Sequence, residues 1–158
     1  MMTEISLNVL DVSENSTRAG ASLVTILVTA DTSADKLTIV IADNGCGMTP
    51  EQAAHVTDPF FTTRTTRKVG LGIPFFKYAA ESTGGSFHIE SEPGKGTTVT
   101  AVFGLSHIDR MPLGDMNATI HNLIVYHPDT DFLYTYTYND ASFTLDTREM
   151  REILGAIP

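Results

Sequence analysis

Three short segments combine glycines with polar side chains that could hold a ligand. The first is residues 43–48, Asp-Asn-Gly-Cys-Gly-Met, which follows an apolar stretch. Glycine lets a backbone approach a flat ligand closely, and the carboxylate of Asp43 can accept a hydrogen bond from an exocyclic amine. The same string is also typical of a plain turn at the end of a strand. By itself it leaves both interpretations open.

The other two segments contain paired glycines at the borders of predicted elements. Gly70 and Gly72 flank Leu71 where a loop is predicted to become a helix. Free backbone N–H groups at a helix N-terminus suit phosphate oxygens, although a flexible hinge would use the same residues. Residues 94–98, Gly-Lys-Gly-Thr-Thr, are on their own most typical of a tight hairpin turn.

Together, the three segments resemble the glycine boxes of the GHKL superfamily, the ATP-binding fold of gyrase, heat-shock chaperone, histidine kinase and MutL families. Residues 58–63, Asp-Pro-Phe-Phe-Thr-Thr, look like the phenylalanine box of its nucleotide lid, and the resemblance spans residues 11–103. It implies an α/β (α+β) two-layer sandwich, in which helices cover one face of a mixed sheet. ATP would lie between the helices and the lid, with Asp43 on the adenine amine.

The resemblance also implies a set of nucleotide contacts around Asp43. These are expected at Asn15, Gly45, Gly47, Met48, Phe60, Thr62, Arg64, Lys68, Gly70, Leu71, Gly72, Thr97 and Thr98. Either Arg64 or Lys68 is expected to touch phosphate, because cations crowd before Gly70 in an otherwise acidic chain and can clamp phosphate oxygens. A solvated basic loop is the alternative for whichever side chain points outward.

A predicted helix near the N-terminus carries the remaining family element. Asp11 and Asn15 are four positions apart, so they share one helix face. By the family pattern Asn15 binds Mg²⁺ through its amide oxygen, and Asp11 stands where a residue activates the attacking water. Gyrase-like and MutL-like members generally have Glu there and histidine kinases Asn, so ATP binding is better supported than hydrolysis. Glu14 is predicted to point towards the margin of the pocket or to solvent.

These residues predict an ATP-binding protein of the histidine kinase-like ATPase type but leave its activity open. The leading interpretation is a stand-alone protein that binds Mg·ATP under a mobile lid, and hydrolyses it slowly or transfers phosphate to a protein. The alternative is a nucleotide-gated protein-binding module, resembling anti-sigma-factor kinases in size, without significant turnover. A third and weaker interpretation is a degenerate structural domain, against which Asp43 and the paired glycines argue.

Bulk composition limits the partners and the location. The 158 residues carry a formal net charge of −9 and one cysteine, Cys46. An acidic chain is a poor general nucleic-acid binder, because non-specific affinity comes from clustered Lys and Arg. No apolar stretch approaches the roughly 18 residues of a membrane-spanning helix, so no membrane contact and a cytoplasmic protein are expected. The expected partners are ATP or ADP, a protein of unidentified kind and, as an open alternative, a second copy of the chain.

The hydrophobic pattern predicts the elements that position these residues. Helices are predicted over residues 5–19, 51–56 and 71–82, and strand hairpins over residues 22–29 with 37–42 and 86–91 with 97–103.

The composition changes after residue 105, where lysine disappears and tyrosine becomes frequent. This change divides the chain into an ATP-binding domain, residues 1–105, and a C-terminal appendage, residues 106–158, that packs on it or extends its sheet. Within the appendage, residues 119–126 and 132–138 are predicted to form a hairpin before a helix near residues 147–154.

Overall fold

The computed structural model describes residues 4–58 and 72–154, and within these ranges it contains five helices and six strands. In chain order they are α1 (Ile5–Arg18), β1 (Leu23–Asp31), β2 (Lys36–Asp43), α2 (Pro50–Val56), α3 (Gly72–Glu81), β3 (Ser86–Glu92), β4 (Gly96–Gly104), α4 (Met116–Tyr126), β5 (Asp131–Tyr138), β6 (Ala141–Asp146) and α5 (Thr147–Leu154).

The six strands form one mixed sheet in the order β3-β4-β2-β1-β5-β6. β1 and β5 are parallel, and the other neighbouring strands are antiparallel. Alternate residues of β1, among them Val24, Ile26 and Val28, are fully buried together with residues of α1, α3 and α4 in one core. Helices therefore cover one face of the sheet, and the predicted α+β two-layer sandwich is confirmed.

Helix α1 begins against the loop that precedes α4. Its first two backbone N–H groups, those of Ile5 and Ser6, donate to the carbonyl oxygens of Pro112 and Leu113 at 3.0 and 2.8 Å. These carbonyls satisfy donors that a helix start leaves free, since Glu4 provides no side-chain cap. The helix that carries Asp11 and Asn15 is thus held at its start by residues more than a hundred positions away in the sequence.

Helix α2 follows the start signals that its sequence contains. Thr49 accepts a hydrogen bond from the backbone of Gln52, whose side chain bonds back to the Thr49 backbone, and Pro50 occupies the first helical turn. This reciprocal capping satisfies two N–H groups at once. The short helix predicted over residues 51–56 is therefore confirmed.

The predicted strand over residues 119–126 is wrong, because this stretch belongs to helix α4. Its β-branched residues favour a strand when they are considered one by one. The buried positions, Met116, Thr119, Ile120 and Leu123, instead follow helical spacing, and the Asp115 carboxylate caps the helix by accepting from the N–H of residue 118.

The hairpin partner of β5 is β6, a stretch to which the sequence pattern assigned no element. β5 itself lies beside β1 in a parallel register that runs from Leu23 opposite Asp131 to Ala30 opposite Tyr138. Residues beyond 105 thus add two strands to the sheet and contribute Phe132 to the common core.

Candidate functional site

A cleft of about 290 Å³ opens between α1 and the adjoining ends of β2 and β4 on the helical side of the sheet. Its apolar wall consists of Val12, Ile41, Val56, Ile73 and Val99. The rest of its lining consists of Asn15, Ser16, Arg18, Ala19, Asp43, Cys46, Gly47, Met48 and Thr97. A mostly apolar wall with a few polar groups is the usual composition of a small-molecule site.

Asp43, the last residue of β2, presents a fixed carboxylate to this cleft. The Ser16 hydroxyl donates to its Oδ2 at 2.7 Å, and the backbone N–H of Gly45 donates to its Oδ1 at 2.8 Å. An ionised carboxylate has about four acceptor positions. Among the described residues nothing else bonds to it, so two positions remain for a donor on a ligand, and the side chain is already oriented for it.

Glycines bring the first and third segments into direct backbone contact. Gly47 has φ +72°, and a Cβ there would lie 2.0 Å from the carbonyl oxygen of Glu92. Gly96 has φ +128°, and its Cβ would lie 2.0 Å from the carbonyl oxygen of Asp43. No side chain fits at either position, so the turn after β2 can lie against the β3–β4 turn only with glycine present.

Ser91 connects these turns through a small hydrogen-bond network. Its hydroxyl accepts from the backbone N–H of Met48 at 2.8 Å, donates to the carbonyl of Gly96 at 3.0 Å, and lies 2.7 Å from the Thr97 hydroxyl. Sequence reasoning missed both Ser91 and Ser16. Their sequence positions gave only a partial signal: Ser91 ends the predicted strand that pairs with the one bearing Thr97, and Ser16 follows Asn15 on α1, but neither position fixes the contact.

Asn15 lines the cleft, but its amide oxygen already has a partner. The Arg18 guanidinium donates to Asn15 Oδ1 at 2.6 Å from one helical turn away. Arg18 also lines the cleft and was not predicted as a site residue. Its spacing of three from Asn15 could have indicated it, because such positions are neighbours on a helix.

Asp11 lies beside the start of α3. A Cβ on Gly72 would be 3.0 Å from Asp11 Cβ and 3.1 Å from its Oδ2, so glycine is what lets the two helices approach here. Burial raises the pKa of Asp11 above its ordinary value of 3.8, the Arg18 guanidinium opposes this rise, and the Glu14 carboxylate adds to it. The carboxyl is therefore a stronger proton acceptor than an exposed aspartate.

The expectation that Glu14 points to the margin or to solvent is corrected by its contact with the C-terminal appendage. Its Oε1 lies 2.9 Å from Nε2 of His127, the residue that ends α4, and both side chains are only about a quarter exposed. Helical phase places Glu14 away from Asp11 as predicted, but a neighbouring helix that the pattern did not show occupies that side.

The predicted contacts fall into three groups. Asn15, Asp43, Gly47, Met48 and Thr97 line the cleft. Asp11, Gly45 and Gly72 are not part of that lining: Gly45 donates to the Asp43 carboxylate, and Gly72 lies against Asp11. Thr98 lies opposite Ala42 on the other face of the sheet, because neighbouring strand residues alternate in direction. Phe60, Thr62, Arg64, Lys68, Gly70 and Leu71 lie outside the described residues.

A comparison with known families agrees with this geometry. Residues 1–107 match the family model described as "Histidine kinase-, DNA gyrase B-, and HSP90-like ATPase". The chain belongs to this family. It therefore contains an ATP-binding domain of the histidine kinase-like ATPase type, and the resemblance of its glycine segments to the GHKL superfamily is confirmed.

Individual relatives of this ATPase domain are much longer than the chain. The sensor protein SrrB of Staphylococcus aureus is 33% identical over 102 residues, which are 61% of this chain and 17% of SrrB. The crystal structure of the N-terminal domain of a DNA repair protein superposes with a TM-score of 0.66 at 13% identity, over 98% of this chain and 58% of that one. The likeness to the DNA repair protein concerns the fold alone. None of the helices within residues 4–58 and 72–154 is long and apolar enough to cross a membrane.

Proposed function

We propose that this domain binds Mg·ATP in the cleft and either hydrolyses it slowly or transfers its terminal phosphate to a protein. The observation that best supports this proposal is the geometry of the Asp43 carboxylate. Ser16 and Gly45 orient it, and two of its acceptor positions have no partner among the described residues. An exocyclic adenine amine is the donor that suits them. The apolar wall between Ile41 and Val99 suits the flat face of the base.

The phosphates would extend from Asp43 towards α1 and the start of α3. Free N–H groups at a helix start attract phosphate oxygens, and the Arg18 guanidinium at the cleft supplies positive charge in an acidic chain. The remaining part of this proposal comes from the sequence alone: a lid over the nucleotide, in which Arg64 or Lys68 contacts phosphate.

Mg²⁺ fits the donor set on α1. Asn15 lines the cleft, and its Oδ1, which accepts from the Arg18 guanidinium, is an amide oxygen of the kind that Mg²⁺ binds. Asn15 would hold Mg²⁺ together with phosphate oxygens, which are the hard ligands that Mg²⁺ prefers. When bound, the ion would supply charge neutralisation at the phosphates. Arg18 would then be released from Asn15 towards the phosphate oxygens.

Asp11 is the proposed proton acceptor for the attacking water or hydroxyl. Its pKa, raised by burial, brings the carboxylate nearer to working pH, which favours general-base catalysis. A nucleotide-gated binding module without turnover is the second candidate, because Asp11 is shorter than a glutamate and is held closely against Gly72.

The binding proposal is tested with Asp43→Asn. This change keeps the shape but replaces a carboxylate by an amide, and loss of a charge-assisted hydrogen bond costs about 1.5–3 kcal/mol. We expect ATP affinity to fall by about tenfold or more in calorimetry, since 1.4 kcal/mol is about a factor of ten. Asp109→Asn, a change of the same type in an exposed loop, is the matched control. Unchanged affinity in a folded Asp43→Asn protein would remove Asp43 from the site.

The activity is assigned by incubating the chain with γ-labelled ATP and Mg²⁺. Free labelled phosphate indicates hydrolysis, and label on an added protein partner indicates phosphotransfer. Bound but unchanged nucleotide supports the binding module and contradicts the proposed turnover. Absence of any bound nucleotide contradicts the whole proposal.

A further inference from the structure

The two outer strands of the sheet are protected to very different degrees. β3 carries the exposed charged residues Glu90 and Glu92 together with His88, and α2 packs against it. β6 carries no charged residue from Ala141 to Leu145, and in the described part of the chain no strand lies beyond it. Charged side chains and covering helices are how natural sheets prevent their edges from pairing with other chains. Within residues 4–58 and 72–154, the β6 edge from Ala141 to Leu145 has neither.

The register of the β5–β6 hairpin shows which backbone groups of β6 are free. Tyr138 and Ala141 close a two-residue loop in which Asn139 has φ +51°, and such loops are closed by a hydrogen-bonded pair. Hydrogen-bonded and non-hydrogen-bonded pairs then alternate along the ladder. Ser142 and Thr144 consequently direct their backbone N–H and C=O groups away from β5.

A side-chain contact agrees with this assignment. The hydroxyls of Thr135 and Thr144, which lie opposite each other, are 3.2 Å apart. Side chains approach more closely in non-hydrogen-bonded pairs. The outer edge of β6 therefore offers two complete sets of donor and acceptor groups at a spacing of two residues.

We propose that β6 pairs antiparallel with β6 of a second copy of this chain, about a two-fold axis at Phe143. In this register Ser142 lies opposite the second copy's Thr144, so the outward-directed groups bond each other. Phe143 lies against the second copy's Phe143, and Ala141 lies opposite the second copy's Leu145. All opposed residues face the same side of the sheet, as a two-fold axis perpendicular to the sheet requires.

Phe143 supplies the apolar contact of this interface. Its side chain is 54% exposed although its ring packs edge-on against Tyr134, with the ring centroids 6.5 Å apart. Pairing would cover this ring with an identical one on the helical face, and such aromatic pairs across strands are stabilising. The two copies would form one continuous sheet with both clefts on the same side.

The net charge of the chain limits the strength of this contact, whereas the paired segment itself suits a second copy. Copies of a chain with net charge −9 repel each other. Residues 141–145 carry no charge, however, and their outward groups match themselves about Phe143, so two copies can meet here. Beyond them Asp140 would face the second copy's Asp146, whose carboxylate Arg148 already pairs at 2.9 Å. Pairing is confined to five residues, so a weak, concentration-dependent dimer is expected.

The test is sedimentation velocity of the full chain from low micromolar to high concentration. We expect wild type to pass from monomer to dimer. Thr144→Pro removes an outward N–H without removing a β5–β6 bond, and Phe143→Lys places two like charges at the axis. Each should weaken dimerisation by at least about tenfold. Val125→Lys changes an apolar residue of α4 that is 52% exposed, and should dimerise like wild type.

Further measurements test whether the variants stay folded and whether the contact involves the β6 edge. Circular dichroism and ATP affinity should be unchanged in all three variants, because the edge is remote from the cleft residues. Amide exchange at Ser142 and Thr144 should slow as the wild-type concentration rises. A wild type that stays monomeric at the highest concentration, or a dimer that persists in both edge variants, would overturn the proposal.

Discussion

The carboxyl group of Asp11, which we propose as the proton acceptor, is unfavourable to the fold when it is ionised. Burial raises its pKa above 3.8, so between that value and the raised pKa the folded chain binds more protons than the unfolded chain. The free energy of unfolding contributed by Asp11 therefore falls as pH rises through this window. At neutral pH the ionised group therefore opposes folding, a cost that agrees with the catalytic role proposed for it.

We predict that Asp11→Asn abolishes turnover, leaves ATP affinity nearly unchanged and raises the midpoint of thermal unfolding at neutral pH. A general base acts on the transition state and typically contributes about 10²–10⁴-fold to the rate. The gain in midpoint should shrink as the pH is lowered towards 3.8.

Asp146→Asn is a control of opposite sign for this stability measurement. Hydrogen bonds from Arg148 lower the pKa of Asp146, so its ionised form favours the folded state above the ordinary pKa. We expect this variant to be slightly less stable than wild type at neutral pH and to retain full activity. If Asp11→Asn hydrolyses ATP at the wild-type rate, Asp11 is not the base.

At the scale of elements, the cleft depends on two turns that only glycine can bring together. We predict that Gly47→Ala lowers both stability and ATP affinity strongly, because its Cβ would lie 2.0 Å from the Glu92 carbonyl oxygen and its φ is +72°. Gly94→Ala is the matched control: its φ is +81°, but its Cβ would meet nothing within 4 Å. Its cost should be limited to the left-handed backbone strain of about 1–2 kcal/mol.

Thermal unfolding and calorimetry of the two glycine variants separate the backbone strain of a positive φ from the steric contact of the added Cβ. Equal losses in both would indicate that backbone conformation alone requires glycine at position 47. A larger loss in Gly47→Ala, with ATP affinity retained in Gly94→Ala, is the expected outcome.

The sequence predicts elements well where a local signal and the packing agree. The Thr49 and Pro50 start of α2 and the alternating pattern of β1 and β2 are such cases, and the glycine segments correctly indicated the family. Residues 119–126 were misassigned because the strand preference of single side chains outweighed a helical pattern that starts at Met116. The contacts of Ser16, Ser91 and Glu14 depend on register and on neighbouring elements, which one sequence does not reveal.

At the scale of the whole molecule, the segment beyond the family match is part of the core. Phe132 is fully buried with residues of β1, and Thr119 donates to the carbonyl of Ser6 in the buried contact of α4 with α1. We predict that a chain truncated after residue 107 loses cooperative unfolding and aggregates, because the edge of β1 and its buried side chains become exposed.

Circular dichroism on heating and light scattering measure this effect. A chain truncated after Leu154 is the control, since it keeps all six strands and the five helices of the described ranges. A chain ending at residue 107 that melts cooperatively and binds ATP with full affinity would show that the C-terminal segment is dispensable.

The parallel pairing of β1 with β5 joins residues about 100 positions apart in the chain. During synthesis, β1 and β2 leave the ribosome early, whereas the partner of β1 on its other side is translated much later. At about 5–20 residues per second, the gap corresponds to roughly 5–20 seconds. For that time a Val- and Leu-rich strand of the nascent polypeptide has one unpaired edge. Such an edge is open to pairing with other chains, so a slower pace of translation should lengthen the period in which the polypeptide can aggregate.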